Sequence, residues 1–327
     1  HGRSSSRTQR TMRVPAERLK ILRGRQQAQS AAEGQPRRRF PNWLRAPLPG
    51  GQRYKQIKEN LRDRGLHTVC EEAQCPNIGE CWNEGTATLM LMGDTCTRTC
   101  RFCAVKTARR PPPLDPDEPR KSAEQVALMG LDYVVLTSVN RDELPDGGAG
   151  HFAASIRAIR EINPDTLVEV LTPDFKGNLP DIQTVLDAQP HVFAHNVETV
   201  QELQSQVRDY RASWAQSVDV LQKAKAHRPE VITKTSIMLG LGETDAQVDH
   251  ALVALRQAGV DAVTLGQYLR PSPWHHEVVR FVPPDVFEHW HARATELGFA
   301  YCASGPMVRS SYKAGEHYLA ALVANRT

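Results

Sequence analysis

One pattern constrains the fold of this chain more than any other. Short apolar runs at residues 88–92, 133–137, 167–171, 192–194, 235–239 and 262–265 alternate for the most part with helix-periodic stretches at 122–129, 152–162, 179–188, 214–226 and 246–258. A run of four to eight apolar or β-branched residues ending at Gly, Asn, Pro or Ser reads as a buried strand. Strands separated by helices pair in parallel, because a helical crossover returns the chain to the same end of the sheet. Six such units imply an α/β fold with a parallel sheet, open or closed into a barrel. The 327 residues suffice for two domains or for one barrel with extensions. Upstream, Tyr54, Ile57 and Leu61 recur at helical spacing and predict one amphipathic helix, with ordered structure starting near Phe40. Pro111, Pro112 and Pro113 mark a loop.

Charge divides the chain unevenly. Residues 1–45 hold twelve Lys and Arg and two acids, so a total of +4 leaves −6 on residues 46–327. The basic excess is a tail, which argues against nucleic acid as a partner of the main body. An Arg- and Ser-rich, acid-poor start is that of an organelle transit peptide or of a solvated bacterial extension. No run reaches the ~18 apolar residues of a membrane span, and no secretory apolar core is present. Seven cysteines without a secretory signal point to metal or redox chemistry instead of disulfides.

Six of those cysteines form two triplets: Cys70, Cys75 and Cys81 before the first strand, and Cys96, Cys100 and Cys103 just after it. Structural zinc wants a fourth ligand, usually from a second pair. Three thiolates instead suit a four-iron cubane with one iron left open, so an iron–sulfur cluster fits each triplet better than zinc. Cys302 stands apart and reads as a small buried hydrophobe.

These residues carry a resemblance. Cys96-Thr97-Arg98-Thr99-Cys100-Arg101-Phe102-Cys103 resembles the signature of the radical S-adenosylmethionine superfamily. The block His67-Thr68-Val69-Cys70-Glu71-Glu72-Ala73-Gln74-Cys75-Pro76-Asn77-Ile78-Gly79-Glu80-Cys81 is narrower and resembles the lipoyl synthase family. The likeness extends from about Trp43 to Leu319. It takes in Asp146-Gly147-Gly148, His195-Asn196-Val197-Glu198-Thr199, Gly240-Leu241-Gly242-Glu243, Gln267-Tyr268-Leu269-Arg270-Pro271 and Arg309-Ser310-Ser311-Tyr312.

The resemblance implies a partial (β/α)6 TIM-like barrel with an N-terminal cluster-binding extension and a C-terminal ligand segment. The divisions would be a basic tail (1–42), an extension (43–86), the barrel (87–298) and the ligand segment (299–327). It implies insertion of two sulfur atoms, at C6 and C8, into an octanoyl chain on a lysine of a lipoyl carrier domain. Methionine and 5′-deoxyadenosine would be the by-products. Two [4Fe-4S] clusters and S-adenosylmethionine, as co-substrate, would serve that reaction. Cys96, Cys100 and Cys103 would hold the S-adenosylmethionine cluster, and Cys70, Cys75, Cys81 and Ser311 the sulfur-donating one. From the residues alone, Ser310 and Ser311 read as a helix cap, and Ser310 is the nearest alternative ligand.

By the same resemblance, Asn140, Arg141, Asp142, Glu169, Asn196, Glu198, Lys234 and Arg270 line the cofactor, with Ser236 beside Lys234, and Gly240 and Gly242 let backbone approach adenine. The plainer reading of each charged residue is a salt bridge at the barrel rim, of the two glycines a turn, and of His275 and His276 an exposed loop. Implied partners are octanoylated carriers (2-oxoacid dehydrogenase E2 subunits and the glycine cleavage H protein), a low-potential donor such as ferredoxin or flavodoxin, and an iron–sulfur carrier. The implied location is an organelle matrix or stroma, with bacterial cytoplasm as the alternative. Two rivals stand beside this reading: another radical sulfur-inserting or auxiliary-cluster enzyme, which would share the Cys96 triplet but not the Cys70 block, and a ferredoxin-like electron carrier, which would also use clustered cysteines.

Overall fold

Ten strands, most of them parallel, organise the computed structural model, which describes residues 40–45, 50–72, 75, 77–83 and 86–311. They are β1 (His67–Thr68), β2 (Thr86–Leu91), β3 (Thr95–Cys96), β4 (Lys106–Thr107), β5 (Tyr133–Ser138), β6 (Leu167–Leu171), β7 (Val192–Ala194), β8 (Ile232–Leu239), β9 (Ala262–Gln267) and β10 (Tyr301–Gly305). The main sheet runs β1-β2-β5-β6-β7-β8-β9-β10, and every pair in it is parallel except β1 with β2. Consecutive strands are neighbours, and helices separate them, as the alternation requires. Since β1 and β10 do not pair, the sheet is a barrel left open along one seam. The tail through residue 39 and the segment from Tyr312 onward lie outside the described residues.

The six expected strands all form; the main sheet adds two more, and β3 and β4 make a separate small pair. Short β1 pairs antiparallel along the outer edge of β2, and β10 continues the parallel sheet beyond β9. Tyr301-Cys302-Ala303-Ser304-Gly305 offers no apolar run, so only its pairing with β9 makes it a strand. A helix at Pro284–Glu296 also escaped the strand-and-helix pattern. Its signal is the spacing of Phe287, Trp290 and Ala294, all buried against the outer face of the sheet, just after a Pro283-Pro284 start.

Alternation along each strand sorts side chains into two layers. Val134, Leu136, Val168, Val170 and Phe193 face outward into one core with the helices. Tyr133, Val135, Val192, Ile232 and Ala262 face inward and pack with Leu167, Leu171 and Tyr301 at the amino-terminal end of the barrel. The N-terminal extension joins the outer core through Ile57, Leu61 and Trp82, with Tyr54 stacked 5.1 Å from the Trp82 ring. Phe40 sets its ring edge on Phe281 at 5.8 Å.

Candidate functional site

The loop after β2 carries Cys96, Cys100 and Cys103 across the carboxyl ends of the strands. Backbone N–H groups aim at its sulfurs: those of Arg98 and Asn140 donate to Cys96 Sγ at 3.4 and 3.3 Å, and that of Asp209 to Cys100 Sγ at 3.3 Å. Such donors favour thiolate over thiol. Burial acts the other way and pushes the Cys103 thiol up to about 12 and the Cys100 thiol to about 11. Iron loading must therefore displace protons at this loop.

Arg98 anchors the loop from beneath. Its guanidinium donates to both oxygens of Asp174 at 2.5 and 2.7 Å, and through Nε and Nη2 to Asp142 at 2.8–3.3 Å. Burial alone would raise Asp174, but the Arg98 hydrogen bonds outweigh it and hold the carboxyl at about 2. Thr99 donates its N–H to Asp209 at 2.9 Å, and Arg211 closes on the same carboxylate at 2.8 Å. His275 and His276, expected on an exposed loop, instead press on the cluster loop. Buried His275 donates Nε2–H to the Cys103 carbonyl at 3.0 Å, and the His276 N–H donates to Arg101 O at 2.7 Å. Asp174, Asp209 and His275 were invisible as site residues because each comes from a distant strand end.

The second triplet lies at the open seam. Burial raises the Cys70 thiol to about 12, and the neighbouring Cys75 and Cys81 thiolates add to the rise, which places all three together. The C-terminal segment reaches them from β10 on the other side of the seam. Asn77 Nδ2–H donates to Met307 O at 2.7 Å, and the Arg309 guanidinium faces Cys75. Gly266 makes this possible, since a Cβ there would overlap the Val308 carbonyl oxygen. Ser310 and Ser311 follow directly, both half-buried.

Neither triplet is closed tightly enough for a single zinc ion, whose thiolates lie about 3.8 Å apart around Zn–S bonds of ~2.3 Å. Among the described residues, the three ligand atoms that come within 4.8 Å of one another belong to His67, Glu72 and Asp94, and there Lys106 already binds Asp94 at 2.5 Å. The donor chemistry of each triplet fits a cubane. The barrel interior also fits a polar co-substrate. Val263 and Leu265 pack outward, so Thr264 points inward. Thr264 Oγ1, Ser138 Oγ and Asn196 Oδ1 are buried with no hydrogen-bond partner. Glu198 holds a left-handed backbone (φ 67°), and burial raises its carboxyl despite Arg208 and Asn196. Its charge acts on Cys103, so it stands beside the cluster loop.

The remaining residues divide. Asn140 and Asp142 adjoin the cluster loop and, with Arg98, Asp174 and Lys176, line a cavity of about 210 Å³. Arg141 is spent on structure, donating to Met92 O, Pro112 O and Glu143. Glu169 and Lys234 are brought to each other instead of to the cofactor. Lys234 Nζ lies 2.8 and 2.9 Å from the two Glu169 oxygens and Tyr133 O–H donates to Glu169 at 2.6 Å, all inside the barrel near its amino-terminal floor. A buried lysine and carboxylate neutralise each other, which leaves no charge to offer upward. Arg270 donates to His275 O at 2.9 Å and to Pro273 O, bracing the loop that holds His275. Gly240 (φ 95°) is explained by packing, because a Cβ would overlap Gln267 and Arg280; Glu243 accepts its N–H at 2.6 Å.

Known proteins match this arrangement. Residues 90–255 match the radical SAM superfamily, and residues 18–75 match the N-terminal domain of lipoyl synthase of the radical SAM family. Mitochondrial lipoyl synthase of Culex quinquefasciatus is 57% identical over 297 residues, covering 89% of this chain and 78% of that protein. Those of Danio rerio and Bos taurus are each 58% identical over 295 residues, with 89% of this chain and 74% and 79% of the relatives covered. Among solved structures, methylornithine synthase superposes with a TM-score of 0.51 at 10% identity, over 94% of both chains. Streptococcus suis SuiB bound to its precursor peptide gives 0.52 at 9% identity, over 88% of this chain and 61% of that one. These two likenesses concern the fold alone, whereas the sequence identities decide the family: the chain belongs to the lipoyl synthases of the radical SAM superfamily.

Proposed function

We propose that this lipoyl synthase divides its work between two four-iron clusters, one on Cys96, Cys100 and Cys103 and one on Cys70, Cys75, Cys81 and Ser311. The observation that carries this reading is the pair of separate thiol triplets, buried or half-buried, the second met across the seam by the serine-bearing segment. When bound, S-adenosylmethionine and the first cluster supply the one-electron chemistry that breaks unactivated C–H bonds at C6 and C8 of an octanoyl chain, and the second cluster supplies sulfur.

The chain's own residues bind, orient and shield. Backbone N–H groups of Arg98, Asn140 and Asp209 hold the loop sulfurs, and Arg98 locks that loop onto Asp142 and Asp174. Glu198 and the unpartnered Asn196 Oδ1 offer a carboxylate and an amide acceptor to the ammonium of S-adenosylmethionine. Thr264 offers a hydroxyl within the barrel. The hydroxyl of Ser311 is a harder ligand than thiolate, suited to leaving a cluster that is dismantled for its sulfur.

The acceptors in this reading are octanoyl-lysine carriers, namely 2-oxoacid dehydrogenase E2 subunits and the glycine cleavage H protein. A ferredoxin- or flavodoxin-type donor supplies electrons, and an iron–sulfur carrier rebuilds the consumed cluster. The relatives above are mitochondrial proteins, which favours an organelle matrix over bacterial cytoplasm. Anaerobic turnover on an octanoyl-lysine peptide, read by mass, tests the reading. Gain of two sulfur atoms is expected, with about eight irons and eight sulfides per reconstituted chain. Substituting Cys70, Cys75 or Cys81 is expected to spare 5′-deoxyadenosine formation and abolish sulfur insertion, while substituting Cys96, Cys100 or Cys103 abolishes both. Equal losses from the two sets would refute the division.

A further inference from the structure

An acyl-lysine amide is uncharged, so the end of the arm that enters the barrel carries nothing by which charged residues could select the right protein. Selection must then come from the body of the carrier as it sits over the barrel mouth. This inference rests on the function proposed above.

The mouth has a charge opposite to that of its surroundings. Residues 46–327 carry a net −6, yet between Asp94 and Asp115 lie Arg98, Arg101, Lys106, Arg109 and Arg110 and no acid. Two of the five are internally neutralised, Arg98 by Asp142 and Asp174 and Lys106 by Asp94. Arg101, Arg109 and Arg110 are exposed and make no ion pair among the described residues. All three sit on the rim of the cluster loop. Arg101 lies between Cys100 and Cys103, with its N–H on Val207 O at 2.8 Å. Arg109 and Arg110 follow Ala108, whose N–H donates to Cys96 O at 2.9 Å.

The same rim exposes an aromatic ring. Tyr210 is 88% exposed, the most exposed of the large hydrophobic side chains among the described residues. It follows Asp209, whose N–H caps Cys100 Sγ, and the Arg211 guanidinium lies 5.2 Å from its ring centre. A bare tyrosine gains nothing in water from that exposure, and tyrosine and arginine are the residues that dominate protein interfaces.

We propose that Arg101, Arg109, Arg110 and Tyr210 form the docking rim for an acidic face of the carrier domain, which delivers the acyl-lysine arm between them. Unpaired arginines within an acidic body reverse the local potential, so they steer an acidic partner to the mouth and repel a basic one. The screening length is about 8 Å at physiological salt, so the attraction is confined to charges at the rim itself.

The test compares two substrates of one enzyme: an octanoylated carrier domain of net negative charge and a short neutral octanoyl-lysine peptide. For the double variant R109E/R110E, and separately for Tyr210→Ala, kcat/KM on the carrier is expected to fall about tenfold or more, equivalent to losing one good interface contact. The peptide rate is expected to stay within about twofold, which also reports intact folding and clusters. Raising salt should weaken the wild type on the carrier and affect R109E/R110E much less. Unchanged carrier kinetics, or equal losses on both substrates, overturn the docking rim and leave the sulfur-insertion reading standing. Absence of sulfur insertion on either substrate by the wild type would instead overturn that reading, and the rim with it.

Discussion

At the scale of single residues, the most demanding task falls to Arg98. Its guanidinium is the only cation on the buried Asp174 carboxylate among the described ion pairs, and it also holds Asp142. Removing one partner of a buried pair strands the other charge, so Arg98→Ala is expected to cost about 3–5 kcal/mol in chemical denaturation. Arg98→Lys keeps the charge without the fork and should fall between the two. His195 sets a pH dependence. Its Nδ1–H donates to Thr172 O at 2.9 Å and its Nε2 accepts from Ser217 at 3.0 Å, the arrangement of a neutral ring. Burial, and then Arg208, holds its pKa down at about 4, against 6.5 for an ordinary histidine. The unfolded chain takes up this proton first, so stability is complete above pH 6.5 and is lost as pH falls from 6.5 to 4. The loss is expected to reach about 3 kcal/mol, and urea titrations across that window check it. His195→Gln should flatten the curve, leaving the smaller contribution of His191, whose pKa burial also depresses. Arg309 is the third such residue. Its Nη2 is buried without a hydrogen-bond partner, and the side chain faces Cys75. Arg309→Gln is expected to lower the iron retained by the Cys70 triplet, measured by iron content in a chain whose Cys96 triplet is intact.

Elements, more than residues, decide whether the two edges of the barrel meet. The segment after β10 crosses β9 at Gly266, where it has room only because no side chain stands there. Gly266→Ala is therefore expected to lift residues 308–311 from the seam. Iron content should fall by about half as the Cys70 triplet loses its cluster, while 5′-deoxyadenosine formation persists. A fully inactive, fully iron-loaded variant would contradict this role. The helix Asp245–Gln257 offers a control remote from the seam. Thr244 and Gln247 form a reciprocal cap at its start, so Thr244→Ala should cost about 1 kcal/mol of stability and no iron. Elements also show what was legible. The six apolar runs identified β2 and β5 through β9 because a buried parallel strand needs nothing but apolar continuity. β10 was not legible, since Tyr301–Gly305 holds no β-branched residue and ends in Ala-Ser-Gly, so that only pairing with β9 makes it a strand.

The whole molecule is a sheet bent into a barrel but left unclosed, with its chemistry placed where closure fails. One cysteine triplet spans the strand ends and the other sits where β1 and β10 do not pair. At this scale the sequence by itself determined a good deal. Strand order follows from alternation, because parallel crossovers leave few alternatives. The thiol sets follow from spacing, because ligands close in sequence stay close in any fold. Tertiary structure alone decided the rest. It sent Glu169 and Lys234 to each other, because facing positions on β6 and β8 share the dry interior, where neither charge could stand unpaired. It drew Asp174, Asp209 and His275 onto the cluster loop from strand ends 71 to 179 residues away from Cys96 and Cys103 by chain count, and it brought Arg309 to Cys75. Such long-range meetings leave no local pattern, since they depend on where a bent sheet brings its edges together.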